Sequence, residues 1–125
     1  MQARLARLLL PALLLLSGAT GCHKVDGPPP PLTLEQLPGA LENAFAKAKP
    51  EARESVNSVL TALGDKDYPK ALLMLQKASA LPGFNKAQAN VVAAGLLTIN
   101  TALQEAQNQG DQNAAQTLQL YHNTK

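Results

Sequence analysis

The stretch Asn85-Lys-Ala-Gln-Ala-Asn-Val-Val92-Ala-Ala-Gly95-Leu96-Leu-Thr-Ile99-Asn-Thr-Ala-Leu103-Gln-Glu-Ala106-Gln-Asn-Gln109 decides the fold class. Val92, Leu96, Ile99, Leu103 and Ala106 step by 4, 3, 4 and 3 residues, which places all five on one side of an α-helix and on no single face of a strand. The heptad-like seam marks a helix that packs along its whole length. Asn85 supplies the N-cap, and Gly110-Asp111 supply the turn that follows. Gly95 falls inside this helix, where glycine costs about 1 kcal/mol relative to alanine. Close approach of a neighbouring helix is the expected return.

Upstream the same punctuation recurs. Asp67 caps a helix with Tyr68, Ala71, Leu72, Leu75 and Ala78 on one side, stopped by Leu81-Pro82-Gly83. Before it, Pro50 opens a helix whose apolar face is Ala52, Val56, Val59, Leu60 and Leu63, with Gly64 placed to end it. Thr33-Leu-Glu-Gln36 fits a capping box opening a short turn, after which Pro38 starts a helix to about Lys47 with Leu37, Leu41, Phe45 and Ala48 inward. Downstream, Ala115, Leu118 and Tyr121 continue on a final helix. Residues 33–125 show no strand-like alternation, so the sequence predicts an all-α domain, a small bundle of four to five helices.

One segment has a family likeness. Gly64-Asp-Lys-Asp-Tyr68-Pro-Lys-Ala71-Leu72-Leu-Met-Leu75-Gln-Lys-Ala78-Ser-Ala-Leu-Pro82 resembles the second helix of a tetratricopeptide repeat, with that family's tyrosine, small residue and alanine on Tyr68, Ala71 and Ala78. The preceding helix lacks the aromatic and Leu-Gly marks of a first repeat helix, and no second copy follows at the expected period. The resemblance therefore implies a single TPR-like hairpin inside the bundle. It makes Tyr68, Leu72 and Leu75 candidates for receiving a partner helix or peptide.

The N-terminal segment is read separately from the fold. Arg4 and Arg7 precede the apolar run Leu8–Leu16, and small residues Ser17–Gly21 lead into Cys22. This is the layout of an export signal, predicted to span residues 1–21. The uncharged stretch from Leu8 to Cys22 is 15 residues and contains Pro11, short of the roughly 20 that cross a bilayer as a helix. Cys22 is the only cysteine, so it has no intramolecular disulfide partner.

The setting Ala19-Thr20-Gly21-Cys22 resembles the lipobox of bacterial lipoproteins, with Ala19 where that family usually has leucine. The resemblance implies cleavage between Gly21 and Cys22, a diacylglyceryl group on the thiol and an acyl chain on the new amine. Palmitate-type chains would then fix the protein to the membrane. The other reading is ordinary cleavage after Ala19, since Ser17-Gly18-Ala19 is also small-x-small, leaving Cys22 a free thiol. His23, where the family's retention signal would be Asp, implies the outer membrane, facing the periplasm.

Residues 22–32 contain Pro28-Pro-Pro-Pro31, which favours an extended rod rising about 3.1 Å per residue and predicts a spacer between anchor and domain. The formal net charge of +2 belongs to Arg4 and Arg7. From Cys22 onward nine Lys/Arg balance nine Asp/Glu, and no basic residue lies between Lys86 and Lys125. Nucleic-acid binding needs clustered Lys/Arg against phosphates, so that class is excluded.

Catalytic chemistry has little to work with. The two histidines are His23 in the spacer and His122 near the end of the chain, and Asp65 and Asp67 form a turn pair in which Asp67 has a capping role. No Gly-rich phosphate loop, HExxH or Cys/His metal spacing occurs, so neither cofactor nor metal is expected and the chain is expected not to be an enzyme. Asn100–Asn123 holds ten Asn/Gln in 24 residues with only Glu105 and Asp111 charged, a composition that suits a solvated face or hydrogen bonding to sugars and peptide backbones.

The expected function is a membrane-anchored, non-catalytic binding or scaffolding module whose partner is an envelope protein or peptide. A second expectation comes from Lys125: a lipidated N-terminus paired with a terminal lysine resembles the major murein lipoprotein, which implies a tether to peptidoglycan through that amine. The breaks at Pro50, Gly64, Pro82-Gly83 and Gly110 depart from that family's continuous coiled coil.

Overall fold

The computed structural model describes residues 31–124. They form five α-helices and no strand: α1 Leu37–Phe45, α2 Pro50–Gly64, α3 Tyr68–Ser79, α4 Lys86–Asn108 and α5 Gln112–Asn123. The all-α bundle expected from the periodicity is the fold, with five helices.

Helices α1 to α4 close a ring in which each packs on the next and α1 returns against α4; α5 lies against α3 and α4. The α2–α3 hairpin has the most extensive packing. Inside the ring Leu37, Leu41, Val59, Leu72, Leu75 and Ile99 are completely buried. Each such aliphatic side chain contributes about 1.5–3 kcal/mol. Phe45 meets Phe84 edge to face, with ring centroids 5.2 Å apart, and so ties the end of α1 to the loop before α4.

Local signals account for the boundaries. The Thr33–Gln36 box forms, with Thr33 N–H donating to Gln36 Oε1 and Gln36 N–H to Thr33 Oγ1, both 3.2 Å. Pro38 is the second helical residue rather than the first. Helix α1 ends at Phe45, two residues before the expected Lys47. Lys49, which precedes Pro50, is extended (φ −60°, ψ 151°), the conformation that a following proline favours, so the chain leaves helical geometry early.

Asp67 caps α3 by accepting from the Lys70 N–H at 3.2 Å. Asp111 caps α5 by accepting from Asn113 and Ala114 N–H at 2.9 and 3.1 Å. Helix α4 ends in a Schellman motif at Gly110 (φ +95°), where Gly110 N–H reaches Gln107 O and Asp111 N–H reaches Ala106 O.

Two sequence assignments need correction. Gly64 is the last helical residue of α2 and not its left-handed cap; that conformation falls two residues later on Lys66 (φ +55°). Lys66 N–H bonds Leu63 O and Asp67 N–H bonds Ala62 O, so the Schellman motif is built with lysine at the strained position. In α5 the inward residues are Ala114, Thr117, Leu118 and Tyr121, while Ala115 is only half-buried. Tyr121 and Leu118 set the face, and Ala114, one turn before Leu118, lies under them.

Candidate functional site

The chain enters the described domain along the outside of α4. The Thr98 hydroxyl lies 2.7 Å from the Leu32 carbonyl and 2.9 Å from that of Ala94, with one proton to share between them. This fixes the lead-in across the middle of α4. Leu32, Leu34, Leu97, Thr101 and Ala102 then line an apolar groove of about 450 Å³, with Glu105 at its edge. Leu97 is 62% exposed there, the largest exposure of a large hydrophobic side chain among the described residues.

The second groove lies between α4 and α5. Gln104 and Gln107 of α4 face Gln116, Gln119 and His122 of α5 around a depression of about 370 Å³, floored by Leu118 and Ala115. Among the described residues no carboxylate, lysine or arginine lines it. Gln104 Nε2 donates to Asn100 Oδ1 at 2.9 Å, whereas the side-chain amides of Gln107, Gln116 and Gln119 have no hydrogen-bond partner among the described residues. The exposed His122 ring packs edge-on toward Tyr121, centroids 5.8 Å apart. The composition of Asn100–Asn123 showed the amides; it did not show that a three-residue turn would fold two helices so that the amides face one another.

The other candidate residues fall out as follows. Leu72 and Leu75 are fully buried, and Tyr68 is half-buried. As contacts for a partner, Leu72 and Leu75 are therefore corrected: they are committed to the bundle's own core, because the apolar stripe that marks α3 is the face it turns toward α2 and α4. The aliphatic residue of α3 that reaches solvent is Leu73. Gly21, Cys22 and His23, with the rest of the expected signal segment and spacer up to residue 30, lie outside the described residues, as does Lys125. Asp65 is exposed, and Asp67 is the α3 cap.

Two side chains that the sequence left unassigned tie α4 to other segments. Gln88 completes a capping box with Asn85 (2.8 and 3.0 Å) and also donates to the Ala44 carbonyl at 3.2 Å, near the end of α1. Thr98 does the equivalent for Leu32. The local half of the Gln88 arrangement is a recognisable Asn-x-x-Gln pattern; the long-range half is not encoded in any local spacing.

Among the described residues no group of three or more His, Cys, Asp or Glu is placed to hold a metal ion. No described helix is long and apolar enough to cross a membrane. No protein-family model matches the chain, and neither a curated protein nor a solved structure is similar enough to match it.

Proposed function

We propose that the chain is a lipid-anchored protein of the bacterial envelope whose helical domain is a non-catalytic binding module. The observation that carries this is Cys22: the chain's only cysteine follows a charged, apolar and small-residue segment in that order. Thiol alkylation requires a cysteine at that point, and a lone cysteine has no second thiol with which to make a disulfide. A single acyl chain holds a protein only marginally, with about 0.8 kcal/mol per buried CH₂, so the two chains of a diacylglyceryl group and an N-acyl chain make a lasting anchor.

The body supports the binding half of the reading. Its capping carboxylates are engaged with backbone N–H groups, and one apolar and one amide-lined groove lie along α4. The Pro-rich segment before Pro31 serves as the spacer that lets these grooves stand off from the lipid surface. The TPR-like character of α2–α3 belongs to the same proposal, as a hairpin scaffold rather than through Leu72 and Leu75.

Replacing the anchor residue tests it. Cys22→Ser expressed in a bacterial host is expected to leave the membrane pellet and appear in the soluble or unprocessed fraction, while the unaltered chain stays in the membrane pellet and leaves it only with detergent. Equal partition of the two proteins would refute the anchor.

A further inference from the structure

Helix α4 is covered by two different helices along its length. The Leu37 side chain of α1 lies against the Gly95 backbone and the Ala44 carbonyl accepts from Gln88, so α1 runs along the first half. The second half, with Leu103 buried and Ala106 half-buried, is covered by α5, which turns back at Gly110. Helices α1 to α4 each pack on two neighbours and close their ring without α5, which packs on α3 and α4 alone. Removing α5 therefore opens one face and breaks no link of the ring.

Helix α5 has the contact pattern of a bound helix. Its inward residues Ala114, Thr117, Leu118 and Tyr121 stand at i, i+3, i+4 and i+7, the anchor spacing of an amphipathic helix laid in a groove. Of these only Leu118 and Tyr121 are large. The buried Thr117 hydroxyl donates to the Asn113 carbonyl at 2.9 Å, within α5 itself, and the Asp111 cap is likewise local. At an exposed edge Gln76 Nε2 of α3 donates to Thr124 Oγ1 at 2.9 Å. A helix of 12 residues is marginal by itself in water, so packing on α3 and α4 is what holds α5 in place. Elements with few buried contacts open ahead of the rest of a fold.

We propose that α5 is a displaceable occupant, and that the face it covers on α3 and the second half of α4 receives a partner's amphipathic helix. The resident helix specifies the partner's chemistry: a small residue, a leucine four positions on and an aromatic three further. This deepens the binding-module reading and rests on it.

Hydrogen exchange of the full chain in lipid nanodiscs, read by mass spectrometry, tests it. In the unaltered chain α5 is expected to exchange at least about tenfold faster than α2 to α4. Leu118→Asp places a carboxylate at a buried position of α5 and drives that helix off. In this variant α5 is expected to exchange as unfolded chain, residues 99–108 to lose part of their protection, and α1 to α3 to keep theirs. A synthetic peptide of residues 111–124 is expected to restore protection over 99–108, half-maximally on the order of 1 mM. The same peptide carrying Leu118→Asp should restore none.

Exchange of α5 at the rate of α2 to α4 in the unaltered chain would overturn the proposal. So would loss of protection in all five helices of Leu118→Asp, which would make α5 part of what holds the ring together. Two further results count against it: peptide at about 10 mM without effect on 99–108, and full protection of 99–108 in the variant before peptide is added, which would give the bared face to lipid. None of these outcomes alters the partition of Cys22→Ser, so loss of the helix site and loss of the anchored-module reading are told apart.

Discussion

Gly95 shows how a single missing side chain organises the core. A Cβ built there would lie 2.8 Å from Leu75 Cδ2 and 2.9 Å from Leu37 Cδ1. The tips of two buried leucines, from α3 and α1, therefore converge on the bare backbone of α4. In an exposed helix Gly→Ala would add about 1 kcal/mol of stability. Here both leucines are completely buried, so their tips must shift within the core to admit a Cβ, and overpacking typically costs about 1–3 kcal/mol. Gly95→Ala is expected to lower stability by about 1 kcal/mol net, read as a reduced denaturation midpoint at unchanged slope; an increase would show that the leucines repack freely. The sequence pointed to close approach at Gly95, and the structure supplies what approaches. Lys66 is the opposite case. Nothing in its side chain announces a positive φ, so the nearby Gly64 drew the assignment, although the α2 cap lies two residues on.

At the scale of elements, helix identity was legible because an apolar period recurs in all five helices, with prolines near the start of α1, α2 and α3 and side-chain caps before α3, α4 and α5. Partner choice was not. The sequence marks Leu37, Leu41 and Phe45 as one inward stripe without saying that α1 returns against α4 to close the ring. That closure depends on long-range bonds such as Gln88 Nε2 to the Ala44 carbonyl, which satisfies an acceptor that α1 leaves open near its C-terminus. The same blindness put Leu72 and Leu75 among candidate partner contacts: a strong apolar stripe reads alike whether it packs inward or receives a ligand. Gln88→Ala removes both the box and the bridge. It is expected to cost about 1–2 kcal/mol and to speed amide hydrogen exchange in α1 as well as in the first turn of α4. Faster exchange confined to α4 would show that the bridge to Ala44 contributes nothing.

At the scale of the whole molecule the proposed anchor lies at one end and the proposed recognition surface on the body. The charge that might have suggested an acidic partner belongs to Arg4 and Arg7, in the segment expected to be removed. What remains is neutral, helical and rich in amides toward its C-terminal end. The candidate groove was half legible: composition named its residues, but only the α4–α5 fold puts them opposite one another. Cys22 gives the most direct test, mass spectrometry of the N-terminal peptide from the membrane-extracted protein. The account predicts a peptide that begins at Cys22 and carries a diacylglyceryl group on sulfur with an acyl chain on its amine. A peptide beginning at Thr20, with Cys22 as a free thiol, would contradict it.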